Sequence, residues 1–286
     1  MRSKIAGMML LMLLASGMAF ATPYKVSEVV AYIPNGGRMI PATVCLPVGA
    51  PGETFPAVVM LHGTGSSRDE AGNGYKLLAP HMAEAGIASI RIDFAGSGDS
   101  KADYVEYTWT SGASDAKAAA DFIAQFKAVD PERIGVMGWS QGGSVAMLAA
   151  SRYPEFKALL TWAGAEDMSW FLADQYEDAK ANGFTKMQFD WRGPLNLSLA
   201  WYNDVRNISL SKELANFKGP VLAIAGSADT VVPLSQLDVI VSSAGGTDKA
   251  KHLIDGADHT FNIFTGDMTK FNELMSITTE WFLNKL

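Results

Sequence analysis

Residues 132–152 read ERIGVMGWSQGGSVAMLAASR, and the reading of this stretch decides the fold. Arg133, Ile134, Gly135, Val136 and Met137 form an apolar run bounded by polar residues, which predicts a short buried strand. Residues 141–152 predict a helix: positions 146–150 are all good helix formers, and Pro154 follows just past the end. Between them lie Gly138, Trp139, Ser140, Gln141 and Gly142, a G-x-S-x-G pattern with a further glycine at Gly143. Glycines at these points permit a turn too sharp for side chains. Such a turn lifts a serine hydroxyl to the carboxyl edge of the strand, beside the free N–H groups of the next helix. In a chain with 27 glycines the pattern alone is weak evidence. Its place between strand-like and helix-like segments is what makes Ser140 the candidate nucleophile.

Upstream, Arg2 and Lys4 precede an apolar run, 5–14, interrupted only by Gly7. Ala19, Phe20 and Ala21 follow as a small-x-small site. This is the pattern of a cleaved leader over 1–21, with a mature chain from Thr22 that is periplasmic or secreted. The run is short for a membrane span, and no later stretch is long and apolar enough to be one. The formal net charge is −7, and loss of the leader takes two positive charges with it. An acidic chain without basic clusters argues against nucleic acid and against anionic membrane surfaces as partners. Cys45 is the only cysteine, so no intrachain disulfide can form. It falls in a strand-like run and reads as a small buried apolar residue. Residues 22–286 suit one large α/β domain.

Taken in order, 24–33 and 39–46 read as strands joined by Pro34, Asn35, Gly36 and Gly37, a hairpin signal. Residues 56–61, PAVVML, read as a strand covered on both faces and end in His62, Gly63, Thr64 and Gly65. Residues 75–85 read as a helix that Pro80 kinks or starts late. A buried strand at 87–92 follows, then a polar Gly-rich loop. Residues 113–128 read as a helix with Ala118, Phe122, Ile123 and Phe126 on one face. After the elbow come strands at 157–161, 221–225 and 250–254 and helices at 234–243 and 268–283. This alternation implies a mostly parallel sheet with helices on both faces, with function at the carboxyl ends of its strands. The rhythm breaks over about 164–211, where Trp170, Phe171, Tyr176, Phe184, Phe189, Trp191, Trp201 and Tyr202 are concentrated. That segment reads as an inserted cap. Its aromatics either form its own small core or wall an apolar pocket, with Trp170, Trp191 and Trp201 as candidate substrate contacts.

A serine hydroxyl needs a base, and the base needs a third group to orient it. His259 is the candidate base, since it lies in a loop directly after a predicted strand. His62, His81 and His252 read as structural, packing or surface residues. Asp229, in the loop after the strand 221–225, is the candidate acid. Asp258 is less suited because adjacent side chains rarely reach each other's ring nitrogen, and Asp255 is a further alternative. Acyl transfer also needs donors for a developing oxyanion. The elbow supplies the N–H of Gln141, and the loop after 56–61 supplies that of Thr64, with Gly63 as the alternative. No His/Cys cluster has metal-ligand spacing, and this chemistry needs neither metal nor organic cofactor.

Five segments in order, LHGTG (61–65), RIDFAGSGDS (91–100), GWSQGG (138–143), GSADTVVP (226–233) and DGADHTF (255–261), resemble the α/β-hydrolase superfamily over nearly all of residues 22–286. The order Ser140, Asp229, His259 is that of the superfamily's nucleophile, acid and base. Within it the chain is similar to the cinnamoyl and feruloyl esterases and related small carboxylesterases, a group overlapping the dienelactone-hydrolase-like enzymes. That resemblance implies a serine carboxylic-ester hydrolase acting on small esters, whose cap contributes to binding an acyl or aromatic group. The chain departs from the group at Thr64, where these esterases often carry an aromatic residue. Dienelactone hydrolases proper use a cysteine nucleophile, which Ser140 argues against. Two alternatives remain: a peptidase like the catalytic domain of prolyl oligopeptidases, which share similar elbows, and a non-catalytic binding protein on the same scaffold.

Overall fold

The elbow strand sits at the centre of the sheet. The computed structural model describes residues 22–169 and 175–286. Strand β5 (Val129–Trp139) lies between β3 (Phe55–Leu61) and β6 (Phe156–Trp162), parallel to both. Around them are β1 (Lys25–Asn35), β2 (Arg38–Val48), β4 (Ala88–Ile92), β9 (Val221–Gly226) and β10 (Lys249–Ile254). The eight-stranded order is β1-β2-β4-β3-β5-β6-β9-β10. It is antiparallel only at β1–β2 and β2–β4. The mostly parallel sheet expected from the alternation is thus present.

Alternate residues of the central strands feed two cores. Val59, Leu61 and Val136 face one side, with helices α2 (Trp109–Ile123), α3 (Gln141–Arg152) and α7 (Ser235–Ser243) packed there. Val58, Met60 and Met137 face the other, against α1 (Gly74–Glu84) and α8 (Thr269–Lys285). Burial of each such side chain is worth ~1.5–3 kcal/mol. Burial on both faces is why these strands read as unbroken apolar runs. Cys45 is buried, and burial pushes its thiol up to about 12, so it behaves as an apolar residue.

Two helices depart from their sequence reading. α1 begins at Gly74, six residues before Pro80, so the proline lies inside it. Tyr75, Leu78, Ala79 and Met82 are all buried along that helix, and their packing overrides the intrinsic cost of proline. α2 spans Trp109–Ile123 rather than 113–128. Thr108 and Ser111 bond reciprocally at its start, and 3₁₀-type bonds unwind the chain at Phe126 and Val129.

Between β6 and β9 the chain leaves the sheet. It forms α4 (Tyr176–Asn182), an antiparallel pair β7 (Phe184–Met187) and β8 (Leu195–Ser198), and then α5 (Leu199–Asn207) and α6 (Leu210–Leu214). The leader reading, 1–21, and Trp170 lie outside the described residues. Among the described residues no helix is long and apolar enough to cross a membrane.

Candidate active site

Ser140 stands between β5 and α3 with φ 54° and ψ −124°, a conformation most L-residues avoid. Its N–H donates to the Trp162 carbonyl at 2.8 Å, and its own carbonyl accepts from Gly143 N–H at 2.8 Å, so both sides of the turn are fixed. A Cβ on Gly138 would lie 2.0 Å from the Gly142 carbonyl oxygen. One on Gly142 would lie 2.1 Å from that of Leu61. The strained turn is possible only because these two side chains are missing.

His259 and Asp229 come from the loops after β10 and β9. His259 Nδ1 and Asp229 Oδ2 are hydrogen-bonded at 2.8 Å, with the carboxylate buried and the imidazole 17% exposed. Asp229 Oδ1 accepts from the N–H groups of Val231 (2.7 Å) and Val232 (3.0 Å). The acid is therefore fixed at both oxygens. The two alternatives are engaged elsewhere. Asp258 Oδ1 accepts from Thr260 N–H, Thr260 Oγ1 and Asn262 N–H, which ties the histidine loop to itself. Asp255 accepts from Ser227. From β5, Trp139 Nε1 donates to the His259 carbonyl at 3.1 Å, so the residue before the serine also holds the histidine's backbone.

The loop after β3 carries the other candidate donors. Gly63 N–H donates to Glu70 Oε2 at 2.6 Å, so that amide is already spent. Among the described residues no acceptor takes the Thr64 N–H, which leaves Thr64 rather than Gly63 open to a ligand oxygen. Gln141, at the start of α3, has an N–H without an intrahelical partner. The buried side chain of Gln141 ties three elements together. Its Nε2 donates to Thr64 Oγ1 at 2.8 Å, and its Oε1 accepts from Trp201 Nε1 at 2.7 Å. His62 is structural, as read from sequence: Nδ1–H donates to the Gly63 carbonyl at 2.8 Å and Nε2 accepts from Phe94 N–H at 3.2 Å. Burial pushes the His62 pKa down to about 4 and keeps the ring neutral.

Glu70 carried no signal in the sequence. It has φ 63° and ψ 177°, a region populated almost only by glycine, and such strain gathers at functional sites. Its two oxygens accept from the Gly63 and Ala71 amides. Burial pushes its carboxyl up to about 7, while the bonds from Gly63, Ala71 and Ser66 and the nearby His259 pull it back down.

Ser140, His259, Thr64 and Glu70 line one cavity of about 980 Å³. The cap supplies Met168, Met187, Phe189, Trp191 and Arg192 to its wall, and Phe264 closes it from the histidine side. Of the three tryptophans expected to contact a substrate, Trp191 lines the cavity and is 64% exposed. Trp201 is a correction. It is 1% exposed, is absent from the cavity wall, and uses its indole N–H to hold Gln141.

A serine on a strained elbow at the centre of a parallel sheet, with acid and histidine on loops after later strands, defines an α/β hydrolase. The profile of the prolyl oligopeptidase family matches residues 74–285, and the chain belongs to that family. Among curated proteins it is similar to 2,6-dihydropseudooxynicotine hydrolase of Paenarthrobacter nicotinovorans, at 30% identity over 141 residues. The match covers 47% of this chain and only 35% of that protein. Among solved structures, Est1E from Butyrivibrio proteoclasticus with ferulic acid bound superposes with a TM-score of 0.72 at 20% identity, covering 89% of this chain and 98% of that one. A puromycin-hydrolyzing peptidase of Mycobacterium tuberculosis superposes with a TM-score of 0.68 at 22% identity, covering 91% of this chain and 39% of that one. At these identities the structural likeness establishes the fold.

Proposed function

We propose that the protein is a serine hydrolase of carboxylic esters that works through an acyl-enzyme. The observation that carries this reading is the shared cavity: Ser140 on its elbow and His259, whose Nδ1 is bonded to the buried Asp229 at 2.8 Å, line the same space. In this mechanism His259 takes the proton of Ser140 while Oγ attacks the ester carbonyl. The Thr64 and Gln141 amides receive the developing oxyanion, each worth roughly a hundred- to a thousandfold in rate. The tetrahedral intermediate collapses, His259 protonates the departing alcohol, and the acyl group stays on Ser140. Water, deprotonated by the same imidazole, then releases the acid and restores the hydroxyl. Asp229 holds the ring in the required tautomer and stabilises the imidazolium. The largely apolar wall suits an acyl or aromatic group. The leader pattern at 1–21 supports export, with Thr22 as the mature N-terminus.

The family match favours a second reading, a peptidase. Amino-terminal recognition by a peptidase calls for free carboxylates facing the substrate. Among the described residues the only carboxylate lining the cavity is Glu70, which is occupied by the Gly63 and Ala71 amides. That supports the ester reading. Kinetics on a panel of p-nitrophenyl esters (short alkanoyl, long alkanoyl, hydroxycinnamoyl) against aminoacyl p-nitroanilides separate the two. Turnover of the esters, lost by at least ~10⁴-fold in Ser140→Ala, is the expected result. Faster turnover of the anilides would assign the peptidase reading instead.

A further inference from the structure

One cation in the cavity has no counter-charge among the described residues. Of the described arginines, Arg38, Arg68, Arg91, Arg133 and Arg152 each pair with a carboxylate, and Arg206 lies over the Tyr176 ring at 4.0 Å. Arg192, from the cap, has none of these. One terminal nitrogen donates to the Gly65 carbonyl, one residue past Thr64, while Nε is shielded from solvent and donates to nothing among the described residues. Glu70, on the same wall, forms no ion pair with Arg192; its two oxygens accept from the Gly63 and Ala71 amides. Arg192 lines the same cavity as Ser140 and His259, and its charge is felt by the buried His62 and Tyr104.

A guanidinium presents its Nε–H and one terminal N–H side by side in a fixed plane, spaced to match the two oxygens of a carboxylate. With one terminal nitrogen fixed on Gly65, the other makes no hydrogen bond among the described residues, and Nε beside it is unpaired. A buried donor left unpaired carries a desolvation cost that a bound anion removes. We propose that Arg192 recognises a carboxylate on the substrate, so that the preferred esters have an apolar body and a free acid group in the acyl or the alcohol part. The proposal rests on the ester-hydrolase reading of Ser140. Met168, Met187, Phe189, Trp191 and Phe264 receive the apolar body, and Arg192 fixes its charged end.

Two matched pairs of probes test this: mono-4-nitrophenyl glutarate against 4-nitrophenyl pentanoate, and 4-butyryloxybenzoate against its methyl ester. In the full-length protein the acid member of one pair is expected to exceed its neutral partner in kcat/KM by at least about tenfold, the usual worth of a charge-assisted hydrogen bond. The pair that responds tells whether the carboxylate belongs to the acyl or the alcohol part. In Arg192→Gln the acid-to-neutral ratio should fall by about tenfold or more, and Arg192→Lys should recover only part of it. In the wild-type protein the preference should shrink as salt rises from 0.05 to 0.5 M, a readout independent of how any variant folds. No acid preference in either pair, or a ratio unchanged in Arg192→Gln, overturns the proposal and makes Arg192 a latch between cap and loop. If instead Ser140 takes no fluorophosphonate label and no ester is cleaved, the reading beneath the proposal fails, and the proposal with it.

Discussion

Glu70→Gln should change how stability depends on pH, with a sign fixed by the geometry around the carboxyl. Burial raises the Glu70 pKa from its ordinary 4.5 to about 7 in the folded protein. Between those values the folded state holds a proton that the unfolded state has released. Stability therefore falls as pH rises through the window and levels off above about 7. At about 1.4 kcal/mol per pKa unit the full effect is about 3 kcal/mol, an upper figure because the carboxyl also borders the open cavity. His62 acts in the opposite direction: its folded pKa is pushed down to about 4 from 6.5, so its contribution grows as pH rises from about 4 to 6.5. In the wild-type protein the two slopes oppose each other. Glutamine cannot ionise, so the variant should keep the His62 slope without the opposing one. The assay is urea denaturation of both proteins at half-unit steps from pH 4.5 to 8. The expected result is a wild-type-minus-variant difference that declines by about 1–3 kcal/mol between pH 4.5 and 7.5. A difference that is flat or climbs with pH would refute the placement of Glu70 as a buried, partly protonated acid.

Further outcomes follow from the hydrogen bonds at the site. Asp229→Asn should lower kcat by ~10⁴-fold, as loss of the ring-orienting acid does in a triad. Asp258→Asn should lower it less than about tenfold, because an amide oxygen still accepts from Thr260 and Asn262. Steady-state kinetics on one p-nitrophenyl ester compares the two. Trp201→Phe leaves the buried Gln141 Oε1 without its donor and should cost about 1–3 kcal/mol in denaturation, with the cavity wall unchanged. Gly142→Ala drives a methyl group to 2.1 Å from the Leu61 carbonyl oxygen, so either the elbow or β3 must shift. It should lose both activity and melting temperature, measured by ester hydrolysis and by thermal unfolding followed by circular dichroism.

The fold was legible because its signals are local. Strands buried on both faces appear as uninterrupted apolar runs, and the turn after β5 needs glycines at two positions where any Cβ meets backbone. The placement of Ser140, Asp229 and His259 at strand ends was legible because each follows a predicted strand of the same sheet. What the sequence hid depends on tertiary neighbours. Glu70 sits in a polar stretch, SSRDEAGN, that looks like any exposed loop, and only the folded chain sets its carboxyl on the Gly63 amide and near His259. Trp201 departs from its sequence reading because an excess of aromatics does not reveal which rings turn outward. Its N–H found Gln141, sixty residues earlier, and the ring went with it. Arg192 stands one residue from Trp191, yet only the folded cap sets it against Gly65. The helix α2 starts earlier than its apolar face implies, because Thr108 and Ser111 cap it at Trp109.

Activation of the Ser140 hydroxyl by His259 within the cavity is read out by incubation with a fluorophosphonate followed by peptide mass mapping. One adduct is expected, on Ser140, formed in the wild-type protein, absent from Ser140→Ala and strongly slowed in His259→Ala. An unlabelled Ser140 in folded wild-type protein, or labelling as fast without His259 as with it, would mean that His259 does not activate this serine.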